Sequence, residues 1–168
     1  MTIQGENIIL RTIVPEDLNL ILQWENDKNN WKVSETTRPF TTKEIEDLIN
    51  SHHDIYLEKQ LRLMICLRAE DNKVIGIIDL FDFNIQLKEA SIGILIGEYT
   101  YRKKGFASEA LSMLINYSFS KLNLNTIYCN IQPENMASLK LFQNQNFKIV
   151  NKKENRYLKE KNITYSTT

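Results

Sequence analysis

Between Ile94 and Ser108 the chain carries residue types suited to holding an anion. Apolar Ile94, Leu95 and Ile96 lead through a polar turn to Arg102-Lys103-Lys104-Gly105-Phe106-Ala107-Ser108. Gly105 has no Cβ, so the backbone can turn sharply there and bring its N–H groups close to a ligand. Ala107, Ala110, Leu111, Leu114, Ile115, Ser118 and Leu122 recur at helical spacings, which predicts an amphipathic helix directly after the loop. The first turn of such a helix has unpaired N–H groups and the positive end of the helix dipole. With Arg102, Lys103 and Lys104 beside it, a phosphate or pyrophosphate is the expected guest. A solvated basic turn would have the same local composition, so the surrounding elements must decide between the two readings.

Those elements form an ordered series. Asn7 to Ile13 alternates about Ile8 and Leu10 as a strand does. Pro15, Glu16 and Asp17 open a helix with a stripe of Leu18, Ile21, Leu22 and Trp24, ending near Asn26; Thr41 and Glu44 form a capping box ahead of a second helix that carries Ile45, Leu48 and Ile49 to about Ser51. Asp27 to Pro39 lacks periodicity and predicts a long functional loop. Arg62 to Arg68, the turn Asp71-Asn72-Lys73 and Val74 to Phe83 predict a hairpin, and Ala90 to Ile96 predicts a third strand leading into the basic loop. After the long helix come a strand at Thr126 to Ile131, a short helix at Asn135 to Asn144, and a terminal strand pair at Phe147 to Asn151 and Ile163 to Ser166. No repeat, linker or compositional break divides the 168 residues, which predicts a single domain spanning 1–168 with a mixed α/β fold.

Composition narrows the partners. The 21 basic and 21 acidic residues cancel, leaving no global field to hold nucleic acid or an anionic membrane. Cys66 and Cys129 each sit in an apolar run and no signal peptide is recognisable, which predicts a reducing cytoplasm. No apolar run approaches the ~20 residues that span a bilayer. His52 and His53 are adjacent and cannot face one metal from a regular helix, so no metal site is expected.

The strand, the Arg-x-x-Gly-x-Ala loop and the helix together resemble the acetyl-coenzyme A pyrophosphate loop of the GNAT N-acetyltransferase superfamily, whose usual form is Gln or Arg-x-x-Gly-x-Gly or Ala. The order of elements agrees over nearly the whole chain, most closely from Gly76 to Phe147. Within the superfamily the sequence looks most like the branch of spermidine or diamine acetyltransferases and ribosomal-protein N-terminal acetyltransferases. The resemblance implies a central, mostly antiparallel twisted sheet of about six to seven strands flanked by about four helices. It also implies that its fourth and fifth strands, here Ile92 to Ile96 and Thr126 to Ile131, splay to hold acetyl-CoA as co-substrate, without a metal. The coenzyme contacts it implies are Ile94, Leu95 and Ile96, the loop and helix start Arg102, Lys103, Lys104, Gly105, Phe106, Ala107 and Ser108, and Asn135 and Ser138. The backbone N–H of Leu95 or a neighbour is the implied oxyanion donor.

Acetyl transfer from a thioester to an amine makes three demands. An ammonium of pKa ~10.4 must lose its proton, the developing oxyanion needs a donor, and the leaving thiolate needs a proton or stabilisation. Many members of the superfamily supply the last from a tyrosine in the short helix, but the matching residue here is Phe142, which has no proton to give. Asn135-Met136-Ala137-Ser138 resembles the Asn-x-x-Ser of the ribosomal-protein branch, which makes Ser138 the expected acid or sulfur donor and Asn135 a coenzyme contact. Both residue types are also common helix starters. Asp79, Asp82 and Glu35 are the carboxylates expected to select and deprotonate a cationic amine. No side chain stands out as the base. The leading expectation is N-acetylation of a small-molecule amine, polyamine or diamine, by direct transfer in a ternary complex; a homodimer is the assembly the resemblance allows. Acetylation of a protein N-terminus or of an aminosugar or antibiotic amine stays open, as does a non-catalytic coenzyme A binding module, which Phe142 motivates.

Overall fold

The computed structural model describes residues 1–30 and 40–161. Glu35 and the strand expected at Ile163 to Ser166 therefore lie outside the described residues. One eight-stranded sheet runs through the molecule in the order β1-β2-β3-β4-β5-β6-β8-β7. Its strands are β1 (Thr2–Gln4), β2 (Ile8–Thr12), β3 (Leu61–Leu67), β4 (Lys73–Asn84), β5 (Glu89–Ile96), β6 (Thr126–Asn130), β7 (Lys148–Asn151) and β8 (Arg156–Glu160). Every neighbouring pair is antiparallel except β5 with β6. The helices that position the site are α1 (Leu18–Glu25), α2 (Thr42–Ile49), α3 (Ile55–Glu58), α4 (Phe106–Ser120) and α5 (Met136–Asn144).

Two of these strands correct the sequence expectation. Thr2–Gln4 adds an edge strand against β2, and the partner of Lys148–Asn151 is Arg156–Glu160. The latter sequence, Arg-Tyr-Leu-Lys-Glu, is half-buried along both faces and shows no apolar alternation; its pairing with β6 on one side and β7 on the other decides its conformation. The short helix α3 also lacked a sequence signal. The turn at Asp71 and Asn72 has both residues at positive φ, 57° and 60°, as a tight hairpin requires. Thr41 caps α2 through its Oγ1, which accepts the Glu44 N–H at 3.1 Å.

The sheet is covered on both faces. Leu63, Ile65, Ile78, Leu80 and Ile92 pack on Ala110, Leu111, Leu114 and Ile115 of α4, together with Phe142 of α5. Met64, Cys66, Ile77 and Leu95 point the other way, to Ile21 and Trp24 of α1 and Ile45 and Ile49 of α2. Alternation along the central strands thus supplies two cores, and each helix pair closes one of them.

Candidate active site

The coenzyme side of the sheet opens where β5 and β6 separate. Their parallel ladder joins Glu89 to Thr126, Ala90 to Ile127 and Ser91 to Tyr128, and stops there. Beyond it lies a narrow crevice lined by Gly93, Ile94, Cys129, Ile131, Asn135, Ser138 and Phe142. A cleft of about 790 Å³ continues from Ile94, Leu95 and Ile96 past Arg102, Lys103 and Gly105 to Ala107, Ser108, Asn135, Ser138 and Lys140. Ile94, Asn135 and Ser138 line both, so the cleft runs from the basic loop into the fork.

The loop end has the open backbone and the cationic side chains that an anion site requires. Gly105 has φ +85° and a Cβ added there would meet nothing within 4 Å, so its missing side chain leaves open space over the helix start. Glu109 is the first residue of α4 to hydrogen-bond back, donating to Gly105 O at 3.1 Å, which leaves the N–H groups of Phe106, Ala107 and Ser108 without a helical partner at the end of the cleft that Ala107 and Ser108 line. The three basic residues divide their roles. Lys103 lines the cleft and is exposed, and Lys104 is exposed outside the lining. Arg102 is a strut: Nε donates to Ile96 O at 2.8 Å, Nη2 donates to Asn30 Oδ1 at 2.9 Å, and the guanidinium lies 4.3 Å from the centre of the Tyr99 ring. Partial burial lowers its pKa from the ordinary guanidinium range.

The fork end shows which backbone groups of β5 turn to β4 and which turn away from it. Gly97 N–H donates to Ile75 O of β4 at 3.0 Å, and the carbonyl of Leu95 packs against Gly76 of the same strand. Backbone groups alternate sides along a strand, so Leu95 N–H also points to β4. Ile94 and Ile96, between them, point to the fork, and Arg102 takes the Ile96 carbonyl. Leu95, expected with its neighbours as the oxyanion donor, thus has its N–H on the β4 side, while Ile94 and Ile96 have theirs on the fork side; all three residues line the cleft.

Asn135 and Ser138 meet at the start of α5. Asn135 Oδ1 caps α5 by accepting the Ser138 N–H at 3.2 Å, while both residues line the fork. Helix starter and ligand contact are therefore compatible roles. Phe142 is buried against Phe147, ring centres 5.0 Å apart and edge to face. Asn146 ends the helix at φ +67°, in the left-handed conformation its type tolerates.

The expected carboxylates part company. Asp79 pairs with Gly93 across β4 and β5, and a Cβ built on Gly93 would lie 3.2 Å from Asp79 Oδ1. Its other oxygen is 3.5 Å from Arg62, which also holds Glu25 of α1 at 2.9 Å. Burial pushes the Asp79 carboxyl up, against the pull of Arg62. Asp82 instead sits exposed at φ +50° on the irregular pairing near the end of β4, away from the Arg62 cluster. Glu25 was not anticipated, because in sequence it is one acidic residue closing an amphipathic helix. Among the described residues no group of three or more His, Cys, Asp or Glu could hold a metal ion, and no helix is long and apolar enough to cross a membrane.

Comparison with known proteins agrees with this architecture. The sequence model of the acetyltransferase (GNAT) domain matches residues 7–148. An uncharacterized N-acetyltransferase, p20, of Bacillus licheniformis is 34% identical over 147 residues, covering 87% of this chain and 82% of that protein. A spermidine N(1)-acetyltransferase of Vibrio cholerae is 29% identical over 146 residues, covering 85% and 80%. The crystal structure of spermidine N-acetyltransferase from Vibrio cholerae in complex with CoA and spermine superposes with a TM-score of 0.76 at 23% identity, covering 92% of this chain and 93% of that one. Ribosomal-protein-S5-alanine acetyltransferase from Vibrio fischeri shares the fold with a TM-score of 0.77 at 17% identity, covering 97% and 98%. With the forked strands, the glycine-opened helix start and the family match over most of its length, the chain belongs to the GNAT family of N-acetyltransferases.

Proposed function

We propose that the protein transfers an acetyl group from acetyl-CoA to a primary amine of a small cationic molecule, with a polyamine or diamine as the preferred class. The observation that carries this reading is the carboxylate of Asp79, whose Oδ1 lies against Gly93, a residue that lines the fork. A carboxylate there attracts an ammonium, and a carboxyl with a raised pKa is a better proton acceptor than an ordinary one. The spermidine-acetylating relative supports the same substrate class.

In this reading the chain's own groups divide the work. The N–H groups of Phe106, Ala107 and Ser108, with Lys103, hold the coenzyme pyrophosphate. The coenzyme supplies an acyl group activated as a thioester. Ile94 or Ile96 offers a fork-facing N–H to the acyl oxygen. Asp79, directly or through one water, takes the ammonium proton before attack. Ser138, whose hydroxyl has no polar partner among the described residues, donates to the leaving sulfur in place of the missing phenol. Direct transfer between two bound substrates is the mechanism of this reading, with Gly93 at the fork as the point where the coenzyme crevice and the Asp79 carboxylate come together.

The test is incubation with radiolabelled acetyl-CoA and a panel of spermidine, a diamine, an aminosugar and an alanyl or seryl peptide. Preferential labelling of spermidine or the diamine is the expected result. Preference for a peptide or an aminosugar would replace the substrate class, and binding without transfer would leave a coenzyme A binding module.

A further inference from the structure

The cleft wall draws its cations from two separate parts of the chain. Arg102 and Lys103 come from the loop ahead of α4 and Lys140 comes from α5, while no Asp or Glu lines the cleft. Arg102 is already committed to Ile96 O and Asn30 Oδ1. Lys140 is exposed and has no hydrogen bond or ion pair among the described residues. It is the one charged residue of α5, whose sequence Met-Ala-Ser-Leu-Lys-Leu-Phe-Gln-Asn places no carboxylate three or four positions away to neutralise it. An exposed lysine in mid-helix is ordinarily a solvated charge. Here its neighbours give it a direction: Ala137, Lys140 and Asn144 recur at spacings of three and four and all line the cleft, so the lysine stands on the cleft-facing stripe of the helix.

The helix α5 reaches from one end of the cleft to the other. Its cap Asn135 and its residue Ser138 line the fork, and Gln145, just past its last turn, donates to Ser108 Oγ in the first turn of α4 at 3.3 Å. Lys140 lies between these points and lines the cleft but not the fork, so it belongs to the part that would receive the charged half of the coenzyme. Coenzyme A carries two anionic groups in that half: a diphosphate, and a 3′-phosphate on the ribose that bears close to two charges at neutral pH. The first-turn N–H groups of α4 and Lys103 answer the diphosphate. They leave the 3′-phosphate without a cation, and Lys140 is the remaining cation of the cleft wall that has no partner among the described residues. We infer that Lys140 is a specificity residue, which pairs with the 3′-phosphate and makes the protein distinguish coenzyme A from 3′-dephospho-coenzyme A. This inference deepens the coenzyme reading of the cleft and rests on it.

Calorimetry of the whole protein with coenzyme A and with 3′-dephospho-coenzyme A tests this without any acceptor amine. The parent protein is expected to bind coenzyme A about three- to fivefold more tightly at low salt, the upper range of one exposed charge pair, with the preference shrinking as salt rises. Lys140→Ala should abolish the preference by weakening coenzyme A and leaving 3′-dephospho-coenzyme A unchanged. Lys140→Arg should keep the preference, and Lys140→Glu should invert it through like-charge repulsion. Lys103→Ala should weaken both ligands alike, which separates a diphosphate contact from a 3′-phosphate contact. Equal affinity of the parent protein for the two ligands, or an equal loss for both in Lys140→Ala, overturns the inference and leaves the coenzyme site in place. A parent protein that binds neither ligand would overturn the coenzyme reading of the cleft, and the inference with it.

Discussion

Arg102 Nη2 donates to Asn30 Oδ1 at 2.9 Å, so the first residue of the anion loop is fastened to the segment that follows α1 on the opposite face of the sheet. Asn30 is buried and donates in turn to Trp24 O at 3.0 Å, and Tyr99, under the guanidinium, donates to Asp27 at 2.6 Å. Arg102→Ala is expected to cost about 2–3 kcal/mol of stability, the range for losing hydrogen bonds to a charged donor. Lys103→Ala should leave the melting temperature nearly unchanged and weaken coenzyme A binding modestly, most visibly at low salt. Thermal denaturation and calorimetry on the two variants separate strut from ligand contact.

Gly105 combines a positive φ with open space on the side a Cβ would occupy. Gly105→Ala should cost about 1 kcal/mol through backbone strain alone. Gly105→Glu should fold yet lose measurable coenzyme A binding, since it sets a carboxylate where the pyrophosphate must meet the first-turn N–H groups. Unchanged affinity in a folded Gly105→Glu protein would remove the loop from the site.

Ser138→Ala is expected to lower kcat by roughly ten- to a thousandfold, the range for one positioned donor, with little change in acetyl-CoA affinity. Phe142→Tyr should add nothing or crowd the fork, because the Phe142 ring is already packed edge to face on Phe147. A Ser138→Ala enzyme at full speed, assayed where chemistry is rate-limiting, would assign thiolate protonation to solvent, which a thiol pKa of ~8.5 makes feasible.

Asp79 also predicts a pH dependence of stability. Its folded pKa is raised, so the folded state holds the proton more tightly than the unfolded chain does. The corresponding stabilisation is fully present below the unfolded value of ~3.9 and is lost as pH rises through the folded value. Asp79→Asn should therefore gain stability relative to the parent protein as pH rises through that window. Denaturant unfolding of both proteins across acidic to neutral pH measures it, and parallel curves would contradict a raised Asp79.

The anion loop, the long helix and the hairpin were legible because each rests on local rules: a glycine at a left-handed turn, a period near 3.6, and alternation ended by Asp71 and Asn72. The same rules made Asn135 both a cap and a lining residue. The half-buried strand Arg156–Glu160 was not legible, because its conformation comes from two flanking ladders and not from its own pattern. The sequence by itself determined the family of the fold, the anion end of the cleft and the lack of a tyrosine at Phe142. Only the tertiary structure decided that Arg102 braces the loop, that Ile94 and Ile96 present their N–H groups to the fork in place of Leu95, and that Asp79, but not Asp82, joins Arg62 and Glu25. Each of those depends on which residues of distant elements are brought face to face, and strand register and helix docking set that at separations of 17 to 72 residues.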